Sequence, residues 1–229
     1  MNDDWDDIAD WWVATRSDGP ADSDEMLAVL RELLDSTDGR TLDLGCGEGQ
    51  VIPLLGDRVI GVDLSDRLLR RALGLAPMVR CRLPDLSWVR AGSIDRAVAV
   101  GLLELLPDDR EFFEQVHAAV RSGGSLVVTM NHPVVTAANS EPLVDDDGRM
   151  AWRWGRYLER GSLVQPAGHR SVELHHRPLG ELLTTAASVG WRLDRLIEVG
   201  ANANTIESMT EPGGLRHLPS ILGARWRRE

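Results

Sequence analysis

From Arg40 onward the chain alternates short apolar runs with amphipathic segments of helical length. Residues 41–44, 59–62, 78–81, 95–100 and 125–130 read as strands, and 66–73 and 108–120 carry helical spacing between them. Gly123-Gly124 announces the fifth run. After a long interruption the rhythm returns with a helix over 178–189 that has Pro178 at its start, a strand over 191–199 and a closing strand over 219–226. Strands that alternate with helices imply βαβ units and a parallel sheet, and right-handed crossovers leave few topologies.

Two stretches fall outside this rhythm. Residues 1–20 are aspartate-rich yet hold Trp5, Trp11 and Trp12, reading as one or two short helices closed by the Asp18-Gly19-Pro20 turn. A helix over 24–34 follows, with Met26, Leu27, Leu30, Leu33 and Leu34 at helical spacing. Residues 131–171 contain Pro133, Pro142, Gly148, Gly155, Gly161, Pro166 and Gly168, with Trp152, Trp154 and Tyr157 among them. They read as an irregular insertion, and so long a one inside a compact domain is usually functional. The expected organisation is a helical cap over 1–36 and an α/β domain over 37–229 with a lid insertion over 131–171.

Composition narrows the setting. With 43% apolar residues the chain can bury a sizeable core unaided. No apolar stretch approaches the roughly 20 residues needed to span a bilayer, and the acidic N-terminus lacks the pattern of a signal peptide. Cys46 and Cys81 are the two cysteines and have no metal-ligand spacing, so a reduced, cytoplasmic setting without a bound metal is expected. A net charge of −11 disfavours nucleic acid and anionic membranes. All 25 basic residues are arginine. The densest group, Arg225, Arg227 and Arg228, reads as a solvated C-terminal edge strand.

The sharpest local signal is Leu42-Asp43-Leu44-Gly45-Cys46-Gly47-Glu48-Gly49, an apolar strand running into Gly-x-Gly-x-Gly. Glycines suit a backbone that must turn tightly and approach a ligand closely. A dinucleotide fingerprint would place Gly or Ala where Gln50 stands. Asp43 would repel a pyrophosphate but suits a ligand with ammonium and sulfonium groups. Farther on, Gly61-Val62-Asp63-Leu64-Ser65 puts an acid at the tip of the second strand, where it can accept both hydroxyls of a ribose or cap the next helix.

These two motifs, with Asp85-Leu86-Ser87-Trp88 before Gly92-Ser93-Ile94-Asp95, resemble class I S-adenosylmethionine (SAM)-dependent methyltransferases. The nearest likeness is to small-molecule enzymes of the ubiquinone/menaquinone-biosynthesis type. Asn131-His132-Pro133, His176-Arg177-Pro178-Leu179, Gly190-Trp191-Arg192-Leu193 and the closing strand extend the resemblance from about residue 40 to 225. It implies a Rossmann-like, doubly wound seven-stranded α/β sheet whose last strand is antiparallel. It implies that Asp43, Gly45, Cys46, Gly47 and Gly49 border the methionine and ribose, that Asp63 holds the ribose hydroxyls, and that Leu64 packs on adenine. Gly101 and Leu102 would border the ligand. Many relatives carry an acid where Arg82 stands, so Asp85 or a backbone carbonyl would take its place.

Methyl transfer from a sulfonium is an in-line displacement, so alignment is the protein's main task. A hydroxyl acceptor would need a general base. The candidates are His132, after the fifth strand, and His176, with His169 and His175 behind them; Glu104 reads equally as a solvated helix-start residue. The tryptophans and Tyr157 form either an aromatic-lined acceptor pocket or a small second core. The expected activity is methyl transfer to an oxygen or nitrogen of a small-molecule acceptor with an aromatic or apolar body, with oligomeric state left open. The rivals are a protein or RNA methyltransferase, a non-catalytic SAM-binding subunit and a nicotinamide oxidoreductase, the last disfavoured by Asp43, Gln50 and the absence of lysine.

Overall fold

The computed structural model describes residues 5–17, 22–35, 38–144, 146, 150–200 and 218–229. Two helices, α1 (Trp5–Ser17) and α2 (Asp22–Leu33), precede the sheet. Then come β1 (Thr41–Leu44), β2 (Val59–Asp63), α3 (Asp66–Arg71), β3 (Met78–Arg80), β4 (Ile94–Val100), α4 (Asp109–Ala119) and β5 (Val120–Asn131). A one-turn helix α5 (Pro133–Thr136) leads into β6 (Glu141–Val144), β7 (Met150–Arg153), β8 (Gly161–Ala167) and β9 (Arg170–His176). The chain closes with α6 (Leu179–Val189), β10 (Trp191–Gly200) and β11 (Pro219–Arg228).

Seven strands form one sheet in the order β10-β11-β5-β4-β1-β2-β3. Pairing is parallel from β3 through β5, while β11 runs antiparallel to both β5 and β10. The order reverses beside β1 and β4, which opens a crevice at the carboxyl ends of those strands. This is the expected Rossmann-like sheet with its last strand antiparallel.

Strand alternation divides the core between the two faces of the sheet. Ala97 and Ala99 of β4, Leu126, Val128 and Met130 of β5, and Leu222, Ala224 and Trp226 of β11 pack with Phe112, Phe113 and Val116 of α4 and Leu182 and Ala186 of α6. Phe113 meets the Trp226 ring edge-on at 5.6 Å. On the opposite face Val98, Val127 and Ile221 pack with Leu27, Val29, Leu30 and Leu33 of α2. Both faces of a mostly parallel sheet are therefore covered, as its apolar strands require.

Two expectations are corrected. The arginine-rich closing strand is interior, between β10 and β5, and β10 is the edge. Arg225 pairs with Asp194 at 2.6 Å and Arg227 reaches both Asp194 and Asp35, so these two are neutralised rather than left to solvent, while Arg228 donates to the Val120 carbonyl. The insertion is not irregular: it holds two antiparallel hairpins, β6–β7 and β8–β9. Part of its glycine content is turn chemistry, since Gly168, between β8 and β9, has φ +64°. Among the described residues no helix is long and apolar enough to cross a membrane.

Candidate active site

Two neighbouring cavities open at the carboxyl ends of β1, β2 and β4. The first, of about 120 Å³, is lined by Gly45, Gly47, Asp63, Leu64, Leu68, Cys81, Arg82, Leu83, Val100, Gly101 and Leu102, with Leu105 and Leu106 beyond. Trp5 and Trp12 of α1 complete its wall. Within the loop after β1, Gly45 has φ +72° and Gly47 φ +53°. A Cβ at Gly45 would come within 3.0 Å of Leu102, whereas one at Gly47 would meet only Leu68, at 4.0 Å, and otherwise project into the open space of the cavity.

Asp63 ends β2 at the cavity wall. Its Oδ2 accepts the Gly47 N–H at 2.9 Å and its Oδ1 accepts the Ser65 N–H at 2.8 Å. A carboxylate has about four lone-pair sites, so these two bonds leave acceptor capacity for a ligand hydroxyl. Burial pushes the Asp63 pKa up, and the amides of Ser65, Gly47 and Leu64 only partly offset this. Ser65 then caps α3 by accepting the Leu68 N–H at 3.2 Å. Capping thus belongs to Ser65, which leaves Asp63 to the cavity.

The second cavity, of about 270 Å³, shares Trp5, Trp12, Val100, Gly101 and Leu105 with the first. Its other walls are Trp11, Met26, Glu104 and Asn131, together with Gln165, Pro166, Ala167, Val172 and Leu174 of the β8–β9 hairpin. The roof is α1. Trp12 stands edge-on to Trp5 at 5.8 Å and tilted to Trp11 at 6.4 Å. On one side Asp6 accepts hydrogen bonds from Ser65 Oγ at 2.6 Å and the Arg67 N–H at 3.0 Å, and Asp10 pairs with Arg67 and Arg71, each at 2.5 Å. On the other side Asp7 pairs with Arg170 of β9 at 2.6 Å.

Gly45, Gly47, Asp63, Leu64 and Gly101 are together at the first cavity. Asp43, Cys46, Gly49 and Asp85 are not among its walls. Asp43 is buried in β1 and Cys46 is buried beside Gly61, where burial pushes its thiol pKa far up. Gly49 packs behind the loop against Leu75, Ile52 and Ala72. The Asp85 carboxylate is exposed and turns back to accept the Ser87 N–H at 2.9 Å. Cys81, Arg82 and Leu83 border the cavity in its place.

Neither His132 nor His176 lines either of these two cavities, and in each both ring nitrogens are engaged. His132 Nδ1 accepts the Val134 N–H at 3.1 Å and caps α5, which leaves the proton on Nε2 to donate to Glu198 at 2.8 Å. His176 Nε2 donates to the Tyr157 carbonyl at 2.9 Å, and Nδ1 accepts from Thr136 Oγ1 at 3.1 Å. Burial pushes both pKa values down. Of the six expected cavity aromatics, Trp5, Trp11 and Trp12 line the second cavity. Trp152 instead donates to Ser140, and Trp154 stacks edge-on with Tyr157 at 5.7 Å beside His176.

Sequence reasoning left Glu104 open between a base candidate and a solvated helix-start residue; it is 2% exposed and sits on a wall of the second cavity. Its seat is built by Arg177. The guanidinium donates to the carbonyls of Leu103, at 3.0 Å, and Leu106, and is itself held by buried Asp109 at 3.2 Å. The tight turn Leu103–Leu105 is thereby fixed just past β4. The His176-Arg177-Pro178 motif was the one signal that could have pointed to this turn.

The lining of the first cavity has the chemistry to hold SAM: a glycine edge where a side chain would intrude, a carboxylate with lone pairs to spare for ribose hydroxyls, and leucine walls for adenine. Residues 42–128 match the family model described as a methyltransferase domain. Trans-aconitate 2-methyltransferase of Azoarcus sp. strain BH72 is 34% identical over 118 residues, 47% of either chain, so the match spans about half that relative's length. The Sinorhizobium medicae protein of the same name is 30% identical over 214 residues, covering 88% of this chain and 77% of its own. The crystal structure of a SAM-dependent methyltransferase from Mesorhizobium loti superimposes with a TM-score of 0.75 at 27% identity, covering 88% of this chain and 96% of that one. Likeness that runs through most of both chains and the same fold places the protein in the class I SAM-dependent methyltransferases, with SAM as its cofactor.

Proposed function

We propose that the protein transfers the methyl group of SAM to a small acceptor with an aromatic or apolar body, seated in the second cavity under α1. One observation carries this reading: the two cavities share Trp5, Trp12, Val100, Gly101 and Leu105, so donor and acceptor would meet across a common apolar wall. At about 270 Å³ the second cavity is just below the range of ligand pockets, about 300 to 1,000 Å³, which suits a small acceptor. The relatives named for trans-aconitate support a small acceptor, and the net charge of −11 speaks against nucleic acid.

SAM brings an activated methyl group on a sulfonium, so no metal or covalent intermediate is required. The chain's residues then contribute position and exclusion of water. Gly45 and Gly47 let the backbone approach the ligand, Asp63 fixes the ribose, and the walls of the shared seam hold the acceptor in line. Such alignment is worth up to about 7–11 kcal/mol. His132 and His176 serve as buried anchors for α5 and the insertion in this reading. The cap over 1–36 and the insertion over 131–171 act as the acceptor lid, and free Cys46 and Cys81 suit a cytoplasmic setting.

The test is transfer of an isotope-labelled methyl group from SAM into host-cell extract, separated into small-molecule, protein and RNA fractions. Label in the small-molecule fraction is the expected result. Label confined to protein or RNA would overturn the choice of acceptor, and SAM binding without any turnover would favour a non-catalytic subunit.

A further inference from the structure

Among the described residues lining the second cavity, Glu104 is the only ionisable side chain. It is 2% exposed. Its Oε1 accepts two hydrogen bonds from Asn131, from the backbone N–H at 3.2 Å and from Nδ2 at 3.1 Å. Its Oε2 is buried with no hydrogen-bond partner. An unsatisfied buried carboxylate oxygen is costly, and it is kept where something else completes it.

The rest of the cavity indicates what completes it. Trp5, Trp11 and Trp12 line the same space, and aromatic side chains are the usual partners of organic cations. No arginine or histidine is among the described lining residues, so an acceptor that carries carboxylates would face Glu104 with nothing to offset the repulsion. Arg177 is the basic group near Glu104, and it is committed to Asp109 and to the Leu103 and Leu106 carbonyls.

Resting on the methyl-transfer reading, we propose that Glu104 binds the acceptor and that the acceptor is an amine on an aromatic or apolar body, so that the reaction is N-methylation. An ammonium acceptor docks with one N–H on the Glu104 carboxylate and its body among the indoles of the cavity wall. It gives that proton to the Glu104 carboxylate and becomes a neutral amine. The nitrogen lone pair then forms the N–C bond to the methyl carbon as the C–S bond breaks, and the bond's electron pair stays on sulfur. The products are a protonated methylamine and S-adenosylhomocysteine, and Glu104 returns its proton to solvent when the product leaves. Burial pushes the Glu104 pKa up, with the Asn131 bonds and Arg177 offsetting only part of it, which suits a carboxylate that takes a proton.

The experiment is calorimetric binding to the complex of the full chain with S-adenosylhomocysteine, using 2-phenylethylamine and tryptamine against 3-phenylpropanoate and trans-aconitate. At least one amine should bind roughly tenfold or more tighter than both carboxylates. Glu104→Gln should erase that preference, an effect of the size expected for a charge-assisted hydrogen bond. Affinity for S-adenosylhomocysteine, measured first on each variant, reports that the fold is intact. The wild-type comparison stands even if Glu104→Gln does not fold. Carboxylates that bind as well as the amines, no amine binding, or an amine affinity untouched by Glu104→Gln would each overturn the proposal. Labelled methyl transferred to a carboxylate would also overturn it while leaving the methyltransferase reading intact. Failure to bind SAM at all would strike that earlier reading instead.

Discussion

Ser65 joins the roof of the site to its floor: its hydroxyl donates to Asp6 of α1 at 2.6 Å, while its amide donates to Asp63 at 2.8 Å. The Asp63 carboxylate and the lid's attachment point are therefore two residues apart on one turn. Asp6→Ala removes the best-buried tie of α1, leaving the ion pairs of Asp7 and Asp10, which are half-exposed and individually weak. One such hydrogen bond is worth about 1 kcal/mol. The expected outcome is a SAM affinity lowered roughly fivefold through faster dissociation, read by stopped-flow fluorescence. An unchanged dissociation rate would mean that α1 does not gate the donor site.

The same tie has a pH signature. Burial raises the Asp6 pKa, but the Arg67 amide, the Ser65 hydroxyl and the charges of Arg80 and Arg67 outweigh it, and the net shift is downward from 3.8. A carboxylate with a depressed folded pKa contributes fully above its unfolded value, and that contribution is lost as pH falls through the folded one. The latch should hold at neutral pH and fail only in acid, below about pH 4. If dissociation accelerates instead between pH 7 and 5, a histidine and not Asp6 controls the lid.

Asp63→Asn tests the ribose assignment with little change of shape. The amide keeps one acceptor oxygen, so one of the two backbone N–H bonds is lost along with the charge that strengthens hydroxyl binding. Calorimetry should show SAM affinity weakened by roughly tenfold to a hundredfold, matching a charged hydrogen bond worth about 1.5–3 kcal/mol. Asp63→Ala should be at least as severe. Wild-type affinity in both variants would remove Asp63 from the site.

Gly47→Val puts a branched side chain where the backbone has φ +53° and where the Cβ direction opens into the first cavity. SAM binding should be lost to below detection, while backbone strain of about 1–3 kcal/mol at this φ lowers the thermal midpoint by roughly 2–12 °C and leaves the protein folded. Normal SAM binding by this variant would show that the ligand does not approach the loop there.

The glycine loop, the strand-tip acid and the sheet were legible because each is set locally. Apolar runs of strand length with helices between them permit few arrangements, and Gly45, Gly47 and Asp63 are demanded by backbone geometry. The second cavity was not legible, because its walls come from α1, α2, β4, β5 and β8–β9 and meet only in the folded chain. Glu104 is the sharpest case. Beside Leu105 and Leu106 it looks like a helix-start residue, and its burial depends on Arg177, 73 positions away. The six aromatics of the N-terminal segment and the insertion were alike in sequence, yet only those on α1 line the cavity, because the β8–β9 hairpin presents Pro166, Val172 and Leu174 there instead. The closing strand was misplaced because arginines resemble edge protection until their partners Asp35 and Asp194 are located.

Arg177→Met tests how the turn that carries Glu104 is held. The guanidinium is 2% exposed and Asp109 3% exposed, with Arg160 as the second partner of Asp109 at 2.8 Å. Removing one member of a buried pair usually costs about 3–5 kcal/mol, and the remaining Arg160 bond should place this loss at the lower end. For a chain of this length each kcal/mol lowers the midpoint by about 2–4 °C, so a drop of roughly 6–12 °C is expected. Acceptor binding should weaken more than SAM binding, since the carbonyls released belong to the turn around Glu104. Equal losses for both ligands would mean that the pair supports the fold as a whole and not that turn.

His132 distinguishes an anchor from a base. Its Nδ1 is occupied by the Val134 amide and its Nε2–H by Glu198, so no lone pair is free for an acceptor proton. Burial lowers its pKa, with Glu198 opposing only in part. A histidine whose folded pKa lies below its unfolded value of about 6.5 favours folding above that value. The contribution fades as pH falls from there toward the folded pKa. Wild-type protein should therefore lose thermal stability between pH 7 and 5, and His132→Gln should flatten that slope while lowering the midpoint at pH 7.5. The loss of a buried, doubly bonded side chain is expected to cost about 1–3 kcal/mol. The turnover rate at saturating substrates should stay within about twofold of wild type, because alignment rather than a histidine base lowers the barrier. A kcat reduced by orders of magnitude in a variant of normal stability would restore His132 to the chemistry.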